Sequence, residues 1–476
     1  MKNSKKFYIN GEWIDGNGKN IVSIVNPATE KVISEILLAN EHDLDNSVKA
    51  AKKAFKDFST FSLNKKVVLF ENIIEVFKTR IDDLANVISL EMGAPITLSR
   101  KAQAPSGLGH FINTLDALKN FEFEEFLDST IIRKEPVGIC GLITPWNWPI
   151  NQIACKVAPA LAAGCTIVLK PSEVAPLSSI VFTEIMHDAG VPKGVFNLIQ
   201  GDSKIGIAMS KHSDIDMISF TGSTKAGISV AKNSASTVKR VTQELGGKSG
   251  NIILRDANFE KSFKKGLFGC MNNSGQSCNA PTRMIIPVEK MKNAIDLSKE
   301  LIKTIVLGDP KNPETTLGPL VNKLQFEKVK NYINIGVTEG ATLVTGGSVL
   351  PESINKGYYI QPTIFANVKN TMSIAREEIF GPVLVIIGYE TESDAVSIAN
   401  DSEYGLSGYI SSSNFEKAVS LAKELRTGMV HINYAPVDQK APFGGYKKSG
   451  NGREWGKSGI EDFLETKSIL SINKQT

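Results

Sequence analysis

Residues that build metal centres and disulfide frameworks are scarce in this sequence. It contains only 5 histidines and 5 cysteines among 476 residues. The cysteines are odd in number, none belongs to a Cys-x-x-Cys pair, and none has a histidine close by. This pattern argues against both a disulfide framework and a zinc site. We therefore expect reduced thiols, no bound metal and a cytoplasmic protein.

An excess of one charge and long apolar runs are also missing. The 54 lysines and arginines nearly balance the 50 aspartates and glutamates, which leaves a formal net charge of +4. Nucleic acid is therefore not an expected partner. The N-terminus is basic but has no apolar stretch after it, so it does not read as a signal peptide. The longest apolar runs, such as residues 381–388, are far shorter than the ~20 residues of a membrane helix, and no membrane partner is expected.

Apolar periodicity divides the chain into a helical first part and an alternating second part. Glu41–Phe58 and residues 64–91 carry apolar side chains at helical spacing, which predicts two helices, the second ended by Gly93. Residues 121–138 alternate or carry β-branched side chains and predict extended strands. From residue 138 onwards, short apolar strands alternate with helices, which is typical of a parallel, doubly wound sheet.

A second stretch of strands and helices runs from about residue 249 to residue 433. Its predicted strands are residues 251–254, 283–286, 383–387, 408–411 and 429–432. The tail at residues 463–472 again has the pattern of a strand. The sequence therefore predicts the α/β class, with two doubly wound sheets and a small additional β segment.

Two segments at predicted strand ends have the chemistry of a dinucleotide site. The strand at residues 217–220 runs into Thr-Gly-Ser-Thr-Lys-Ala-Gly at 221–227. A glycine at such a turn lets backbone N–H groups approach a pyrophosphate at a helix N-terminus, although this spacing alone is more typical of an ordinary strand–helix turn. Glu173, after a neighbouring strand, suits ribose hydroxyls and would repel a 2′-phosphate, which favours NAD over NADP. The alternative for Glu173 is a solvated strand-end carboxylate.

Cys278 differs from the other cysteines in its surroundings. Cys140, Cys155, Cys165 and Cys270 lie in apolar segments, as buried structural cysteines do. Cys278 lies in Gly-Gln-Ser-Cys-Asn-Ala at 275–280, a polar, turn-rich loop that can expose a thiol and aim backbone N–H groups at an oxyanion. Upstream of it, Glu244 could activate water as a general base. A nucleophilic thiol, a general base and a hydride acceptor together indicate the oxidation of an aldehyde through a thioester.

A rigid aromatic turn follows the first strand of the predicted parallel sheet. Residues 144–149 read Thr-Pro-Trp-Asn-Trp-Pro and contain half of the chain's 4 tryptophans. The turn would hold Asn147 at the carboxyl edge of the sheet, where ligands bind. An asparagine N–H is a standard oxyanion donor, but a packed aromatic turn with no catalytic role explains the segment equally well.

Seven motifs, taken in their order along the chain, together carry a resemblance to a known family. They are Pro-Trp-Asn-Trp-Pro at 145–149, Leu-Lys-Pro-Ser-Glu at 169–173, Phe-Thr-Gly-Ser-Thr at 220–224, Glu-Leu-Gly-Gly-Lys-Ser at 244–249, Gly-Gln-Ser-Cys at 275–278, Glu-Glu-Ile-Phe-Gly-Pro-Val at 377–383 and Pro-Phe-Gly-Gly-Tyr-Lys-Lys-Ser-Gly at 442–450. Over essentially its full length, the chain resembles the aldehyde dehydrogenase superfamily of NAD(P)-dependent, non-phosphorylating enzymes.

The resemblance implies roles for particular residues. It assigns Cys278 as nucleophile, Glu244 as general base and Asn147 as oxyanion donor. The cofactor contacts that it implies are Thr144, Pro145, Trp146, Lys170, Ser172, Glu173, Gly222, Ser223, Leu245, Glu378 and Phe380. Lys170 and Glu173 would bind the adenosine ribose, and Glu378 would bind the nicotinamide ribose.

The resemblance also implies a substrate tunnel, by position. Its walls would be Trp148, Gln152, Cys155, Ser277, Asn279, Val437 and Phe443. Glu454 matches a glutamate sometimes invoked in proton relay. Lys225 stands where many relatives carry an acidic residue, and near the pyrophosphate it would loosen the preference for NAD, so NADP remains possible.

From these residues we expect two Rossmann-like domains. Residues 1–120 and 138–246 would bind NAD, and residues 247–450 would form the catalytic thiol domain. Residues 121–137 and 462–476 would be oligomerisation strands, since similar segments in the family pair between subunits. A homodimer or homotetramer is the expected assembly.

The expected reaction converts an aldehyde to a carboxylic acid with NAD⁺ through a thiohemiacetal and a thioester on Cys278. Three other interpretations stay open. A CoA-acylating semialdehyde dehydrogenase would pass the acyl group to another nucleophile, although Glu244 favours water. A thiol esterase or hydrolase would not need the dinucleotide segments. A non-catalytic scaffold would have no reason to combine Cys278, Glu244 and Asn147.

Overall fold

The computed structural model describes residues 2–350 and 354–470. Its strands, in chain order, are β1 (Lys6–Ile9), β2 (Glu12–Asp15), β3 (Ile21–Asn26), β4 (Lys31–Leu37), β5 (Glu124–Leu127), β6 (Thr130–Pro136), β7 (Ile139–Ile143), β8 (Thr166–Lys170), β9 (Phe196–Leu198), β10 (Met217–Thr221), β11 (Arg240–Glu244), β12 (Gly250–Ile253), β13 (Arg283–Pro287), β14 (Thr342–Thr345), β15 (Thr363–Ala366), β16 (Val383–Tyr389), β17 (Tyr404–Gly405), β18 (Ser407–Ser411), β19 (Met429–Ile432), β20 (Tyr446–Lys447), β21 (Gly450–Asn451) and β22 (Leu464–Ile469).

The α-helices cover the strands. In chain order they are α1 (Glu41–Phe58), α2 (Leu63–Thr79), α3 (Ile81–Met92), α4 (Ile96–Leu98), α5 (Ala104–Lys119), α6 (Pro149–Ala163), α7 (Leu177–Asp188), α8 (Ser203–Lys211), α9 (Thr224–Ser234), α10 (Phe259–Met271), α11 (Met291–Ile302), α12 (Lys323–Thr338), α13 (Ser373–Arg376), α14 (Glu392–Asn400), α15 (Phe415–Glu424) and α16 (Gly456–Asp462). A single π-helical turn, Ser99–Gln103, joins α4 to α5.

The first sheet has the strand order β2-β1-β9-β8-β7-β10-β11-β21, in which the strands from β9 to β11 are parallel. Its buried strands send alternate side chains to opposite faces. On β7, Ile139 and Ile143 pack on the side of α1 and α8, whereas Cys140 and Leu142 pack on the side of α6. Both faces are therefore covered by helices, and the predicted doubly wound sheet is confirmed.

The second sheet has the order β14-β15-β16-β13-β12-β18-β19 and is parallel apart from the β14–β15 pair. On β16, Val385 packs into the core beneath α12, while Leu384 and Ile386 pack on the side of α10 and α11. This sheet is also sandwiched between helices, so the α/β fold class predicted from the sequence is confirmed.

The two sheets are joined almost end to end. β11 ends at Glu244 and β12 begins at Gly250, so one short connection leads from the first sheet into the second. The loop that precedes β16 reaches this connection, where the Gly247 N–H donates to Glu378 Oε1 at 2.9 Å. The loop that precedes β13 also reaches it, since a Cβ on Gly247 would lie 2.2 Å from Cys278 O. The carboxyl edge of the first sheet, where ligands bind in such folds, is therefore closed by loops of the second.

A small third sheet, β22-β6-β5, contains the two segments predicted as oligomerisation strands. β6 and β22 pair antiparallel from Pro136 opposite Leu464 to Ile131 opposite Ile469. The two segments thus pair with each other within one chain. Residues 471–476 of the predicted tail strand lie outside the described residues.

The single helix predicted over residues 64–91 is wrong. Arg80, at φ −110° and ψ 7°, separates α2 from α3. Its guanidinium donates to Asp83 at 2.7 Å and to Glu184 at 2.8 Å, so the break is fixed by ion pairs that apolar periodicity does not reveal. Gly93, at φ +80°, ends α3 in the left-handed region as predicted. The β3–β4 hairpin was not among the predicted elements.

Within the part of the chain that the structure describes, no helix is both long and apolar enough to span a bilayer.

A buried carboxylate caps the helix that follows the Lys170–Glu173 segment. The Glu91 oxygens accept the N–H groups of Leu177 at 2.5 Å and Ser178 at 2.9 Å, at the start of α7. Glu91 is completely buried. Burial raises its pKa from the ordinary value of 4.5 to about 7, although the hydrogen bonds from Ser178 and Leu177 oppose the rise.

This raised pKa makes the stability of the fold depend on pH. Between its unfolded pKa and about 7, folded Glu91 keeps a proton that the unfolded chain has lost. Its contribution to stability therefore falls as pH rises, by up to about 3 kcal/mol. We expect the urea midpoint of the native protein to fall relative to Glu91→Gln between about pH 5 and pH 8. A pH-independent difference, like that expected for the exposed control Glu71→Gln, would contradict this assignment.

Candidate active site

A strained turn carries the chain into the Cys278 loop. Asn273, Ser274 and Gly275 follow α10 with φ values of +52°, +55° and +71°. Left-handed conformations of residues other than glycine are costly and persist only where the surroundings hold them. Here the Ser274 hydroxyl donates to Gly318 O at 2.8 Å, and a Cβ on Gly275 would lie 2.0 Å from Gly381 O. The turn can therefore be made only with glycine at position 275.

A buried set of four side chains, here called the amide network, fixes this turn against the first sheet. It consists of Gln103, Asn147, Asn273 and Gln276, all nearly or completely buried. Gln103 Nε2 donates to Asn273 Oδ1 at 3.0 Å and to Asn147 O at 3.2 Å. Asn273 Nδ2 donates to Asn147 O at 2.9 Å, and Asn147 Nδ2 donates to Gln276 O at 3.0 Å. The loop after β7 and the Cys278 loop are thereby held together.

Asn147 keeps hydrogen-bonding capacity for a ligand. Its side-chain NH₂ has two N–H groups, and the structure gives one of them to Gln276 O. Asn147 lines the same cavity as Cys278. The second N–H is therefore available beside the thiol, as an oxyanion donor must be.

The Cys278 thiol is partly exposed and lies where two cavities meet. Burial raises its pKa well above the usual range, and the Glu378 and Glu244 carboxylates raise it further. The other four cysteines are buried. Cys278 is thus the cysteine that a ligand can reach, and it is protonated in the free protein.

Glu244 ends β11 as a buried carboxyl group without a hydrogen-bond partner. Neither of its oxygens has one among the described residues, and only 3% of the residue is exposed. Burial and the nearby Glu454 raise its pKa well above the usual range, against the opposing effects of Lys156 and Arg453. A buried polar group left unpaired is costly and calls for a functional explanation. Glu244 has the vacant acceptors and the basicity needed to bind and activate a water molecule.

The first of the two cavities, the interdomain cavity, has a volume of about 180 Å³. Its walls are Pro145, Trp146, Asn147, Gln152, Thr221, Gly222, Ser223, Leu245, Gly246, Cys278, Gln325, Lys328, Glu378 and Phe380. Half of these were predicted as cofactor contacts from the sequence, namely Pro145, Trp146, Gly222, Ser223, Leu245, Glu378 and Phe380. Gln325 and Lys328 were missed because they lie on one face of α12, in a segment without a recognisable motif.

The donor groups of the interdomain cavity fit a dinucleotide. Ser223 caps α9, its hydroxyl accepting the Ala226 N–H at 3.3 Å, so the positive end of the helix dipole faces the cavity. Glu378 supplies a carboxylate of the kind that binds ribose hydroxyls. A Cβ on Gly246 would lie 2.7 Å from Glu378 Oε2, so glycine is needed to leave this carboxylate in place.

The remaining predicted cofactor contacts lie at the same sheet edge but do not line the interdomain cavity. Lys170 ends β8, and its ammonium donates to Gly201 O at 2.7 Å and lies 3.8 Å from Glu173. Ser172 accepts the Val174 N–H at 3.3 Å. Thr144 is buried, and its backbone N–H donates to Lys170 O at 3.2 Å. Lys170, Ser172 and Glu173 lie at or after the end of β8, and Thr144 follows β7, the strand between β8 and β10.

The second cavity, the outer cavity, has a volume of about 270 Å³. Its walls are Ala102, Ser106, Trp148, Asn151, Gln152, Ser277, Cys278, Asn279, Val437, Gln439, Phe443 and Trp455. All the predicted tunnel residues except Cys155 are among them. Ala102, Ser106, Asn151, Gln439 and Trp455 were missed, because the helix and loops that carry them meet only in the fold.

The placement of Cys155 in the tunnel is wrong. Its thiol is buried, and its single S–H lies within reach of Glu454 Oε2 at 3.2 Å and of Gln152 O at 3.4 Å. Phe443 and Trp455 stack with ring centroids 4.4 Å apart and pack against Cys155. Cys155 therefore belongs to the packing behind this aromatic pair rather than to the cavity surface.

Glu454 lies in a buried ion pair near Glu244. Its carboxylate contacts the Lys156 ammonium, which also donates to Ser219 Oγ at 3.1 Å. Burial lowers the pKa of Lys156, but the Glu454, Cys155 and Glu244 side chains together outweigh that effect, and the net pKa is raised. Lys156 therefore stays charged, and the pair lies close enough to influence the protonation of Glu244.

Comparison with known proteins assigns this site to a family. The sequence model of the aldehyde dehydrogenase family matches residues 13–469. The chain belongs to the aldehyde dehydrogenase family. It is an oxidoreductase that acts on aldehydes, as the motifs predicted.

Relatives of this aldehyde dehydrogenase cover its full length. The 3-succinoylsemialdehyde-pyridine dehydrogenase of a Pseudomonas species is 51% identical over 99% of both chains. A mutant of aldehyde dehydrogenase C from Pseudomonas syringae, solved with NAD⁺ and octanal, has a TM-score of 0.98 and 47% identity, covering 100% of this chain and 98% of its own. Aldehyde dehydrogenase from Mycobacterium tuberculosis, solved with NAD⁺, has a TM-score of 0.97 and 36% identity over 99% of both chains.

Within the described residues of this dehydrogenase, no group of three or more histidine, cysteine, aspartate or glutamate side chains could hold a metal ion.

The electrostatics of the dehydrogenase site predict the reactivity of its thiol. Because burial and the Glu378 carboxylate raise the pKa of Cys278, alkylation by iodoacetamide should be slow near neutral pH and still rising at pH 9. Glu378→Gln removes a negative charge and lowers that pKa, so alkylation at about pH 8.5 should be faster.

Two variants control this experiment. The neighbouring exposed Glu377, whose carboxylate accepts the Tyr332 hydroxyl at 2.6 Å, serves as the matched substitution Glu377→Gln and should react like the native protein. Cys278→Ala should not be labelled, since the other cysteines are buried. Equal alkylation rates for Glu378→Gln and the native protein would contradict this electrostatic account.

Proposed function

We propose that this protein oxidises an aldehyde to the carboxylic acid with NAD⁺, using Cys278 as the nucleophile. The observation that carries the proposal is the position of Cys278 at the junction of two cavities. One cavity has the donors that a dinucleotide needs, and the other is open to a substrate. The relatives solved with NAD⁺, one of them also with octanal, support both assignments.

The cofactor would be held by the carboxyl edge of the first sheet. The N-terminus of α9 at Gly222 and Ser223 would receive the pyrophosphate, and Glu378 would bind the nicotinamide ribose. Lys170 and Glu173 would bind the adenosine ribose, and the Glu173 carboxylate favours NAD over NADP. When bound, NAD⁺ supplies the hydride acceptor.

The protein's own groups carry the acylation half of the reaction. Cys278 releases its thiol proton to solvent water and its Sγ bonds to the aldehyde carbon, which gives a thiohemiacetal alkoxide. The free N–H of Asn147 and backbone N–H groups of the Cys278 loop would stabilise that negative charge. Loss of hydride from the same carbon leaves a thioester on Cys278.

Glu244 would act as the general base in the second half of the reaction, the hydrolysis of the thioester. Its vacant oxygens would hold a water molecule and take its proton as the water attacks the thioester. The C–S bond then breaks, the carboxylic acid leaves and the Cys278 thiol is restored. The Lys156–Glu454 pair lies beside Glu244 and could pass the proton on.

The Glu244 carboxyl group, which is kept free of hydrogen bonds, favours water over CoA as the acyl acceptor. Because Cys278 must be a free thiol, the mechanism suits a reducing, cytoplasmic compartment.

Removal of the general base Glu244 should separate acylation of Cys278 from hydrolysis of the thioester. Glu244→Gln should still form NADH in a first burst of one equivalent per active site, because acylation does not need Glu244. Steady-state turnover should then fall by about 10²-fold or more, within the range of general base catalysis. Stopped-flow absorbance of NADH with octanal measures both phases. Cys278→Ala should show neither phase, and a burst in that variant or a native steady-state rate in Glu244→Gln would refute these roles.

We further propose that the β22-β6-β5 sheet mediates a homodimer or homotetramer. β5 presents Phe126 and Leu127, 67% and 64% exposed, on a strand at the edge of the sheet. Light scattering at micromolar concentration should give a multiple of the chain mass, and Leu127→Asp should shift it to a smaller species. A monomeric native protein would contradict this assembly.

A further inference from the structure

Apart from the Cys278 thiol, the described walls of the outer cavity carry no ionisable side chain. Aspartate, glutamate, lysine, arginine and histidine are all absent from its walls as the structure describes them. Lys156 and Glu454 do not line the cavity and are paired with each other, next to Cys155, which packs against the aromatic pair. An aldehyde that carries a carboxylate or an ammonium group would lose its hydration here without gaining a partner. Uncharged aldehydes are therefore favoured.

The walls of this cavity differ in chemistry. Trp148, Phe443 and Trp455 contribute aromatic surface. Asn151, Gln152 and Asn279 contribute amides, here called the amide wall. A ligand that fills the cavity therefore meets apolar contacts on some sides and hydrogen-bonding groups on others.

The amide wall has unused hydrogen-bonding capacity. Neither the Asn151 side-chain nitrogen nor the Asn279 side chain has a partner among the described residues, although Asn279 O accepts the Tyr409 hydroxyl at 2.9 Å. Gln152 Oε1 is buried and also lacks a partner there. Amide groups left unpaired on a cavity wall select ligands that pair with them.

The Asn151 side chain is held in one orientation by His110, which does not line the outer cavity. Its Oδ1 lies 2.8 Å from His110 Nε2, on α5. Burial lowers the pKa of His110 to about 4, so the ring is neutral near pH 7 and carries one proton. An amide oxygen only accepts, so this short contact places the proton on Nε2 and turns the Asn151 NH₂ away from His110.

The other neighbour of His110 is fixed independently. Gln439 Nε2 lies 3.2 Å from His110 Nε2, a longer contact than that to Asn151. Gln439 donates to Ser106 O at 3.1 Å and accepts from Asn113 Nδ2 at 3.2 Å, which fixes its amide orientation. A Cβ on Gly109 would lie 2.3 Å from Gln439 Oε1, so α5 leaves space for this side chain. The Gln439 amide therefore has hydrogen-bond partners other than His110 Nε2.

We propose that the outer cavity selects uncharged aldehydes bearing a hydrogen-bond acceptor, such as a ring nitrogen, ketone or ether, remote from the aldehyde carbon. Asn151 is the residue that donates to that acceptor, and His110 is the positioning residue that keeps the Asn151 N–H groups facing the cavity. This inference rests on the proposed function, because it assigns the substrate class of the same site.

Two aldehydes of equal shape test the proposal. Phenylpropanal and its meta-pyridyl analogue differ only in a ring nitrogen far from the aldehyde, so their intrinsic reactivities are similar. The native protein should oxidise the pyridyl aldehyde with a kcat/KM about fivefold higher, the effect of one hydrogen bond between neutral groups. The pair is also run with one additional methylene group, because chain length decides whether the nitrogen reaches Asn151.

The variants are judged by the ratio of the two kcat/KM values. Asn151→Leu keeps the size of the side chain but removes the donor, and Asn151→Ala repeats the test with less volume. Both should bring the ratio close to one. His110→Phe should lower the ratio, and His110→Gln, which retains an N–H donor, should restore it. Asn120→Leu, an exposed asparagine at the end of α5 that donates to Asp116 O at 3.0 Å, is the matched control and should keep the native ratio.

Each outcome bears on a different statement. If the native protein oxidises neither aldehyde, nor octanal, the proposed function fails. If it oxidises both ring aldehydes equally at both chain lengths, the reaction stands and the selectivity is overturned. A native preference that persists in Asn151→Leu and Asn151→Ala overturns the role of Asn151. Loss of the preference in Asn120→Leu would show that it does not report on the cavity.

Discussion

The amide network is the constraint on which the rest of the site depends. Gln103, Asn147, Asn273 and Gln276 join the π-helical turn before α5, the loop after β7 and the strained turn before Cys278. Each of these amides is buried, and a buried amide left unpaired costs about 1–3 kcal/mol. Removing the Asn273 side chain would therefore take a partner from Gln103 Nε2 and donors from the Asn147 and Gln276 carbonyl oxygens. The network fixes Asn147 and Cys278 relative to each other although they belong to different sheets.

The charges around the thiol form a second, coupled constraint. Cys278, Glu244 and Glu378 are acidic groups in one poorly solvated region, and the pKa of each is raised by burial. They cannot all ionise at little cost, because like charges at short range disfavour one another. In the free protein the thiol is therefore protonated, and burial together with Glu454 favours the protonated form of Glu244.

Particular residues show what the sequence could predict and what it could not. Turn chemistry at strand ends placed Asn147 and Gly222 at one edge of a sheet, and the polar loop singled out Cys278. Glu244 was predicted only as a general base, and its position at the end of β11 is seen in the fold alone. The family resemblance placed six residues on the walls of the outer cavity. It wrongly placed Cys155 there too, because the stacking of Phe443 on Trp455, which covers Cys155, is a tertiary contact. Lys328 and Gln325 gave no sequence pattern, since α12 reaches the cavity only through the fold. The break at Arg80 depends on ion pairs with distant residues.

The most direct test of the account is the covalent state of Cys278 during turnover. Glu244→Gln is mixed with octanal and NAD⁺, quenched in acid, and analysed by intact-protein and peptide mass spectrometry. The account predicts a mass gain equal to octanal less two hydrogens, which marks a thioester, on the peptide that contains Cys278. NADH formation with no such adduct, or with the adduct on another residue, would contradict it.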